Sequence, residues 1–391
     1  MTVRVNKPSF NIREKLSELG RKFGLKGSEL AAAETIQEAR DLVSAGRKNM
    51  CINGAMQVAQ RVAYPNTQPG VQYGGYYTVD RFQSGVSAVG TWTISQSTDV
   101  PDGFANSIKY DCTTSDTSLD STSELWIAQK IEAQNLQHLD YDRPSCRDCT
   151  FSFYMKTNKI GVYTVEIFQA DANRTIGFEA EVTQTGWARY EFVVPGDPSG
   201  TINNDNGIGL WLFIWMATGT GKTSGTFTNG KWAANATTNR LSPRNVNFAD
   251  STSNELYITG YQFELGRNAT EFEHRSYGEE LSLCQRYYGK IRLSNQEWIY
   301  NESNNSWGKW WMGYIPFSMR ANPNIDSTDL TGGVSITGLS GTVSTIAPQT
   351  PGDTPGRVSM RVTMSTNSGT AYNLYHTDGW AGDYLAFDAE L

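Results

Sequence analysis

The chain has 391 residues, a net charge of −7, 19% charged and 12% aromatic residues, and 37 glycines. That length implies two or three domains, and the mix of few charges with abundant Gly, Ser, Thr, Asn and aromatics implies short strands joined by many turns. The acidic balance excludes a broad basic face for nucleic acid, the glycines lack the period of collagen, and no apolar run reaches the roughly 18 residues of a membrane span.

Residues 1–10 read as polar and extended, with Pro8 breaking any helix. The opening Met1-Thr2-Val3-Arg4 has no apolar h-region, so synthesis and folding in a cytosol are expected. Asn11 with Glu14 marks a helix start, and Ile12, Leu16 and Leu19 form one stripe before Gly20. A second helix is predicted from about Ser28 to Val43, with Ala32, Ile36, Ala39 and Val43 at a/d spacing. Two heptads fall short of the roughly three to four that an independent coiled coil needs. Residues 1–48 therefore have three readings: helices packed on their own domain, a collar pairing with copies of itself, or an anchor that a larger partner holds. Phe10, Ile12, Leu16 and Leu19 are the candidate anchor residues.

From Asn49 the pattern turns to β. Strands are predicted at Tyr77–Phe82, Gly90–Gln96, Ser107–Cys112, Glu124–Ile131, Cys149–Thr157, Gly161–Phe168, Thr175–Val182, Trp187–Val194, Gly207–Met216 and Leu256–Leu265. Their even spacing without a helix-length gap implies an antiparallel sandwich of the jelly-roll type. Gly209 to Ala217 is the most apolar run, and it has the length of a strand. Thr218 to Asn247 is a long Gly/Thr/Asn loop holding Phe227 and Trp232, and loops of that length in compact domains are usually functional or at an interface.

The last of these strands places Tyr257, Thr259, Tyr261, Phe263 and Leu265 on one face at period two. Ser276 and Glu279 then have the spacing of a capping box. Tyr277, Leu281, Cys284 and Tyr288 follow as one helical face, expected to be buried between domains or at an oligomer axis. Beyond it, Ile291–Tyr300 and Trp307–Phe317 read as a hairpin. Val358, Met360, Val362 and Met364 alternate with polar residues, and Leu385, Phe387, Ala389 and Leu391 form a final strand. The fold expected is mainly β: an N-terminal helical segment (1–48), a jelly-roll sandwich (49–275), then a linker helix and a smaller β domain (276–391). About a hundred residues make a marginal core, which favours support from an oligomer.

Few motifs carry chemistry. Gly219-Thr220-Gly221-Lys222-Thr223 lacks the earlier glycine of a phosphate loop, since Met216 stands there, and no helix pattern follows. Cys146 and Cys149 are a lone C-x-x-C pair leading into a strand, which suits neither a zinc site nor a redox helix. With Cys51, Cys112 and Cys284 they make an odd count of five, which argues against a disulfide framework. Asp197, Asn203 and Asp205 put oxygen donors in one turn, a set that suits calcium, although such turns also form without metal. No nucleophile elbow, metalloprotease helix or kinase signature is present, so neither an enzyme nor a cofactor is expected.

Aromatics give the strongest chemical pattern. Trp298, Tyr300, Trp307, Trp310 and Trp311 crowd one hairpin, and Tyr73, Tyr76 and Tyr77 another segment. Rings flanked by Asn and Asp suit the C–H faces and hydroxyl rims of sugars, and they equally suit cores and subunit interfaces. Trp232, Trp307, Trp310 and Tyr73 are the candidate glycan contacts.

Asn53-Gly54-Ala55-Met56-Gln57-Val58-Ala59-Gln60-Arg61, followed by Tyr77-Thr78-Val79-Asp80-Arg81-Phe82, resembles the opening of a domain common in tail-fibre-like proteins of tailed bacteriophages. Ile258 to Gly266, then Phe272-Glu273-His274-Arg275-Ser276-Tyr277-Gly278-Glu279-Glu280-Leu281 and Cys284-Gln285-Arg286-Tyr287-Tyr288, are the more specific match. Phe387-Asp388-Ala389-Glu390-Leu391 is a shorter one. Val62 stands where the family usually has Gly, and Phe82 where it often has Trp. The resemblance implies a carbohydrate-binding-module-like jelly roll, a second β domain, a homotrimer and a place on the virion surface. It supplies no catalytic or sugar-binding residue. The expected function is a non-enzymatic fibre or spike, held by a larger virion protein and binding host surface polysaccharide, with no nucleic-acid or membrane partner. A capsid fibre or decoration protein is the alternative, and a glycan depolymerase the third reading.

Overall fold

The computed structural model describes residues 47–61, 75–292, 299–300, 308–314, 317–321, 323–326, 343–349, 357–364 and 384–391. The predicted N-terminal helices, with Phe10, Ile12, Leu16 and Leu19, lie outside the described residues.

Twelve strands form a sandwich of two antiparallel sheets. The larger sheet contains β1 (Gly75–Tyr76), β2 (Gln83–Ser87), β5 (Glu124–Glu132), β7 (Gly161–Gln169), β8 (Arg174–Val182), β10 (Ile208–Thr218) and β11 (Ala233–Ala234), in the order β1-β2-β5-β10-β7-β8-β11. The smaller contains β3 (Thr91–Ser97), β4 (Ser107–Thr114), β6 (Cys149–Thr157), β9 (Ala188–Val194) and β12 (Glu255–Leu265), in the order β3-β4-β12-β6-β9. Alternate residues of each strand meet between the sheets, as period two requires. Ile127 and Ile131, Val165 and Ile167, and Leu210, Leu212 and Ile214 face Tyr110, Phe151, Phe153, Tyr261 and Phe263 in one buried core.

Two strand expectations need correction. Tyr77–Phe82 is a turn: the Phe82 amide donates to the Val79 carbonyl at 3.3 Å, and Arg81 has φ +73°. Val79 and Phe82 reach the core at a spacing of three, and the strand begins at Gln83. In β12 the single apolar face does not run through. Gly260 has φ +65°, and the register with β6 shifts between Thr259 and Gln262. The extra residue of this bulge changes which side chains face inward. Leu256 and Ile258 face the core before it, Tyr261 and Phe263 after it. Tyr257 lies on the outer face beside Lys109 and Lys156.

Helix α1 (Tyr277–Gln285) follows β12. The Ser276 hydroxyl accepts from the Glu279 amide at 3.3 Å, so one half of the capping box forms. The Glu279 carboxylate pairs with Arg47 instead. The buried face is also rotated from the expected one: Glu280 and Cys284 are buried, Leu281 is half-buried, and Tyr277 is 57% exposed. Tyr288 is buried but belongs to the next strand, after the helix has ended. Polar contacts set this rotation. Arg275, itself buried, donates to the carbonyls of Asn49 and Cys51 and pairs with Glu273 and Glu280. Glu280 in turn accepts from the Asn53 amide.

Seven more strands follow: β13 (Tyr288–Arg292), β14 (Ile299–Tyr300), β15 (Gly308–Tyr314), β16 (Asn324–Asp326), β17 (Val343–Gln349), β18 (Arg357–Met364) and β19 (Tyr384–Asp388). They make a sheet β13-β19-β16 and a sheet β14-β15-β18-β17. The predicted hairpin is split between them. Ile299 and Tyr300 pair with Trp311 and Trp310 as expected, whereas Tyr288–Arg292 pairs with the final strand. After β19 the chain returns to the sandwich, where Glu390 meets Arg61 and Arg81.

Candidate functional site

Strands β5, β10 and β7 carry large side chains on both faces. Inward residues fill the core; outward ones form a second cluster of Trp126, Ala128, Phe213, Trp215 and Leu241, with Phe168 and Trp211 packed against it. Register sets these residues in rows. Lys130, Trp211 and Phe168 are cross-strand neighbours in one row, Ala128, Phe213 and Glu166 in the next, and Trp126, Trp215 and Thr164 in the third. The rings contact one another directly. Trp211 and Phe213 lie 4.6 Å apart, Phe213 and Trp215 5.5 Å, and Trp126 meets Phe213 edge-on at 5.1 Å. Such pairs contribute about 0.5–1.5 kcal/mol each beyond their burial. Gly85 on β2 leaves the space that the Trp126 ring fills, since a Cβ there would fall 2.0 Å from it.

The loop after β10 covers two of the rows. Phe227 lies over Gly177, Leu241 joins the cluster, and Arg240 reaches the rings of Phe168 (5.7 Å), Trp215 (5.7 Å) and Phe213 (5.8 Å). Glu166 fixes Arg240, accepting from Nε at 2.7 Å and from Nη2 at 2.9 Å. The same carboxylate accepts from Trp215 Nε1 at 2.9 Å and from the Thr175 hydroxyl at 2.8 Å. Burial works against the Arg240 charge, but Glu166 holds its pKa above the ordinary value. Lys222 is drawn to Glu124 at 2.8 Å, so the lysine of the phosphate-loop-like stretch is a paired side chain.

In the remaining row, Lys130–Trp211–Phe168, Lys130 is buried and Trp211 and Phe168 are half-buried, packed against the second cluster. Trp211 Nε1 is buried and has no acceptor among the described residues. Lys130 stands 4.4 Å over the Trp211 ring and donates to the main-chain oxygen of Leu391, the last residue. Burial pulls its pKa down to about 8, against the attraction of Glu390. The row thus joins two partly exposed rings and a cation, a set that stacks on a ligand with C–H faces.

The structure does not gather the residues singled out by sequence. Trp232 is half-buried and packed on the core, with Nε1 donating to the Pro195 carbonyl at 2.7 Å and its ring edge-on to Tyr141 at 6.2 Å. Tyr73 and Trp307 lie outside the described residues, and Trp310 is placed by its backbone in β15. The oxygen donors of the turn are likewise dispersed. Asp197 is taken by Arg174 at 2.6 Å and Gln169 at 2.9 Å, Asn203 by Asp171 at 2.8 Å, and Asp205 by the Gly207 amide at 2.9 Å. No group of three metal-ligating side chains occurs among the described residues. Cys146 and Cys149 are both free thiols, and Cys149 is fully buried. The outer row was missed because the apolar run of β10 reads as core on both faces. Its signal was that very property: in an antiparallel sheet with one solvated face, a strand apolar on both sides needs a second cover or a ligand.

No protein-family model matches the chain, and no curated protein matches it. Solved structures similar to it include a xylan-binding domain from Paenibacillus barcinonensis, 8% identical, which covers 57% of this chain and 100% of that one at a TM-score of 0.26. A family 11 carbohydrate-binding module from a Clostridium thermocellum cellulase is 11% identical, with 53% and 97% coverage and a TM-score of 0.26. A third module, solved with β-1,4-galactotriose, is 12% identical, with 57% and 100% coverage and a TM-score of 0.25. At such scores these likenesses carry no functional argument.

Proposed function

We propose that the chain is a non-enzymatic fibre or spike of a tailed bacteriophage, and that its sandwich holds host-surface glycan on the Lys130–Trp211–Phe168 row. The observation that carries the glycan part is this partly exposed pair of rings on the outside of the sandwich, beside Lys130 and Arg240. The resemblance of residues 53–61, 77–82, 258–266, 272–281, 284–288 and 387–391 to tail-fibre-like proteins supports the virion part. Binding without turnover fits the one carboxylate in the neighbouring row, since Glu166 is occupied in holding Arg240, Trp215 and Thr175. Several copies on one particle would raise avidity well above the affinity of one shallow row.

Two experiments test the two parts. Purified protein on an array of bacterial surface glycans is expected to retain specific members, and a blank array would defeat the glycan part. Cryo-microscopy of intact particles is expected to find the chain projecting from the tail. Density on the head would favour the capsid fibre instead, and its absence from the particle would end the virion reading.

A further inference from the structure

We propose that the Lys130–Trp211–Phe168 row selects acidic glycans, with Arg240 as the group that reads the carboxylate; this rests on the glycan reading above. A cation stands beside each ring of the row: Lys130 is 4.4 Å over Trp211, and Arg240 is 5.7 Å from Phe168. Their roles differ. Arg240 spends Nε and Nη2 on Glu166, while Nη1 has no acceptor among the described residues. A guanidinium fixed along one edge presents the other edge as a planar donor group, the geometry that suits a carboxylate. Glu166 is therefore a positioning residue, which holds Arg240 without touching ligand.

Each cation near the row has an anionic partner or neighbour. Lys222 is matched by Glu124 and Arg240 by Glu166. The Lys130 ammonium donates to the main-chain oxygen of Leu391, the last residue, lies over the Trp211 and Tyr76 rings, and is attracted by Glu390. Neutral glycan would gain stacking from Trp211 and Phe168 alone. A hexuronate or sialate residue would gain the same stacking, the Arg240 edge and the field of Lys130.

The test is an array in which bacterial polysaccharides with hexuronate or sialate residues stand beside their carboxyl-reduced derivatives. Wild-type protein is expected to bind the acidic members at least about tenfold more tightly, with a preference that shrinks as salt rises. Truncating Arg240 alone would strand Glu166 in a buried site, so the informative variant is Arg240→Gln with Glu166→Gln. It is expected to keep its fold and its binding to reduced glycans while losing the acidic preference. Lys130→Met is expected to weaken that preference through an independent position. Equal binding of acidic and reduced members by wild type would overturn this inference and leave the glycan reading standing, as would a double variant that keeps the preference. A blank array would overturn both.

Discussion

Arg81 and Glu390 are 309 positions apart in sequence and meet as a buried ion pair. Their side chains are 1% and 4% exposed. Arg81 also donates to the Lys130 carbonyl and stacks on Tyr287 at 3.3 Å. Arg61 reaches the same carboxylate at 3.2 Å. The last residues of the chain are thereby bound to the first turn of the sandwich.

Removing one partner of such a pair leaves a buried charge without its counterion. Glu390→Gln is therefore expected to destabilise the protein by about 3–5 kcal/mol, read as a shift of the urea midpoint at constant slope. Arg81→Met combined with Glu390→Gln should recover part of the loss, because the stranded charge is gone. A double variant no more stable than the single one would show that the pair is not the cause.

Arg275 organises the entry to α1 in the same manner, with four partners from the 49–53 segment and its own neighbourhood. Arg275→Ala is expected to cost about 3 kcal/mol or more. Hydrogen exchange should localise the opening to residues 47–56 and the helix. Uniform loss of protection across the sandwich would contradict this local role.

Asp80 gives a pH dependence. Burial raises its pKa to about 6, against the opposing pull of Arg61 and the Gln60 hydrogen bonds. The unfolded value is about 3.9. Between these values the folded protein holds a proton that the unfolded chain has lost, so this group's contribution to stability falls as pH rises through that window. Asp80→Asn removes the proton exchange. Wild type minus Asp80→Asn in unfolding free energy should therefore decline between about pH 4 and pH 6 and then level off. A difference that is flat or rises with pH would contradict the assignment.

Gly260 tests the bulge. Its φ of +65° disfavours a side chain, and a Cβ there would stand 2.7 Å from Tyr154 and 2.9 Å from Phe104. Gly260→Ala should cost about 1–3 kcal/mol. Gly266 also has positive φ (+107°) but meets no atom within 4 Å, so Gly266→Ala should cost less. Equal losses would show that steric contact at the bulge contributes nothing.

These contrasts mark what was legible in sequence. Cys149–Thr157 was read from its pattern with the boundaries the structure gives, and β7, β8 and β10 to within two residues, because alternation and flanking turn residues act locally. The face switch in β12 was not legible, since one glycine at positive φ leaves no trace in the spacing of apolar residues. Tyr77–Phe82 was misread because Val79 and Phe82 are core residues delivered by a turn. The helix face differs for another reason: apolar spacing predicts one face, while Arg275 and Glu280 fix the rotation through contacts with residues more than 200 positions away. The row Trp211–Phe168 depends on register between strands distant in sequence, which no single strand displays.

The central claim is that this row holds glycan, and Trp211 is its test. Trp211→Ala keeps the inward core residues of β10 and removes the larger of the two partly exposed rings. Calorimetric titration of wild type and variant with the best glycan from the array is expected to show at least about tenfold weaker binding for the variant, as the loss of about 1.4 kcal/mol or more of stacking requires. Unchanged affinity in a folded Trp211→Ala protein would contradict the claim.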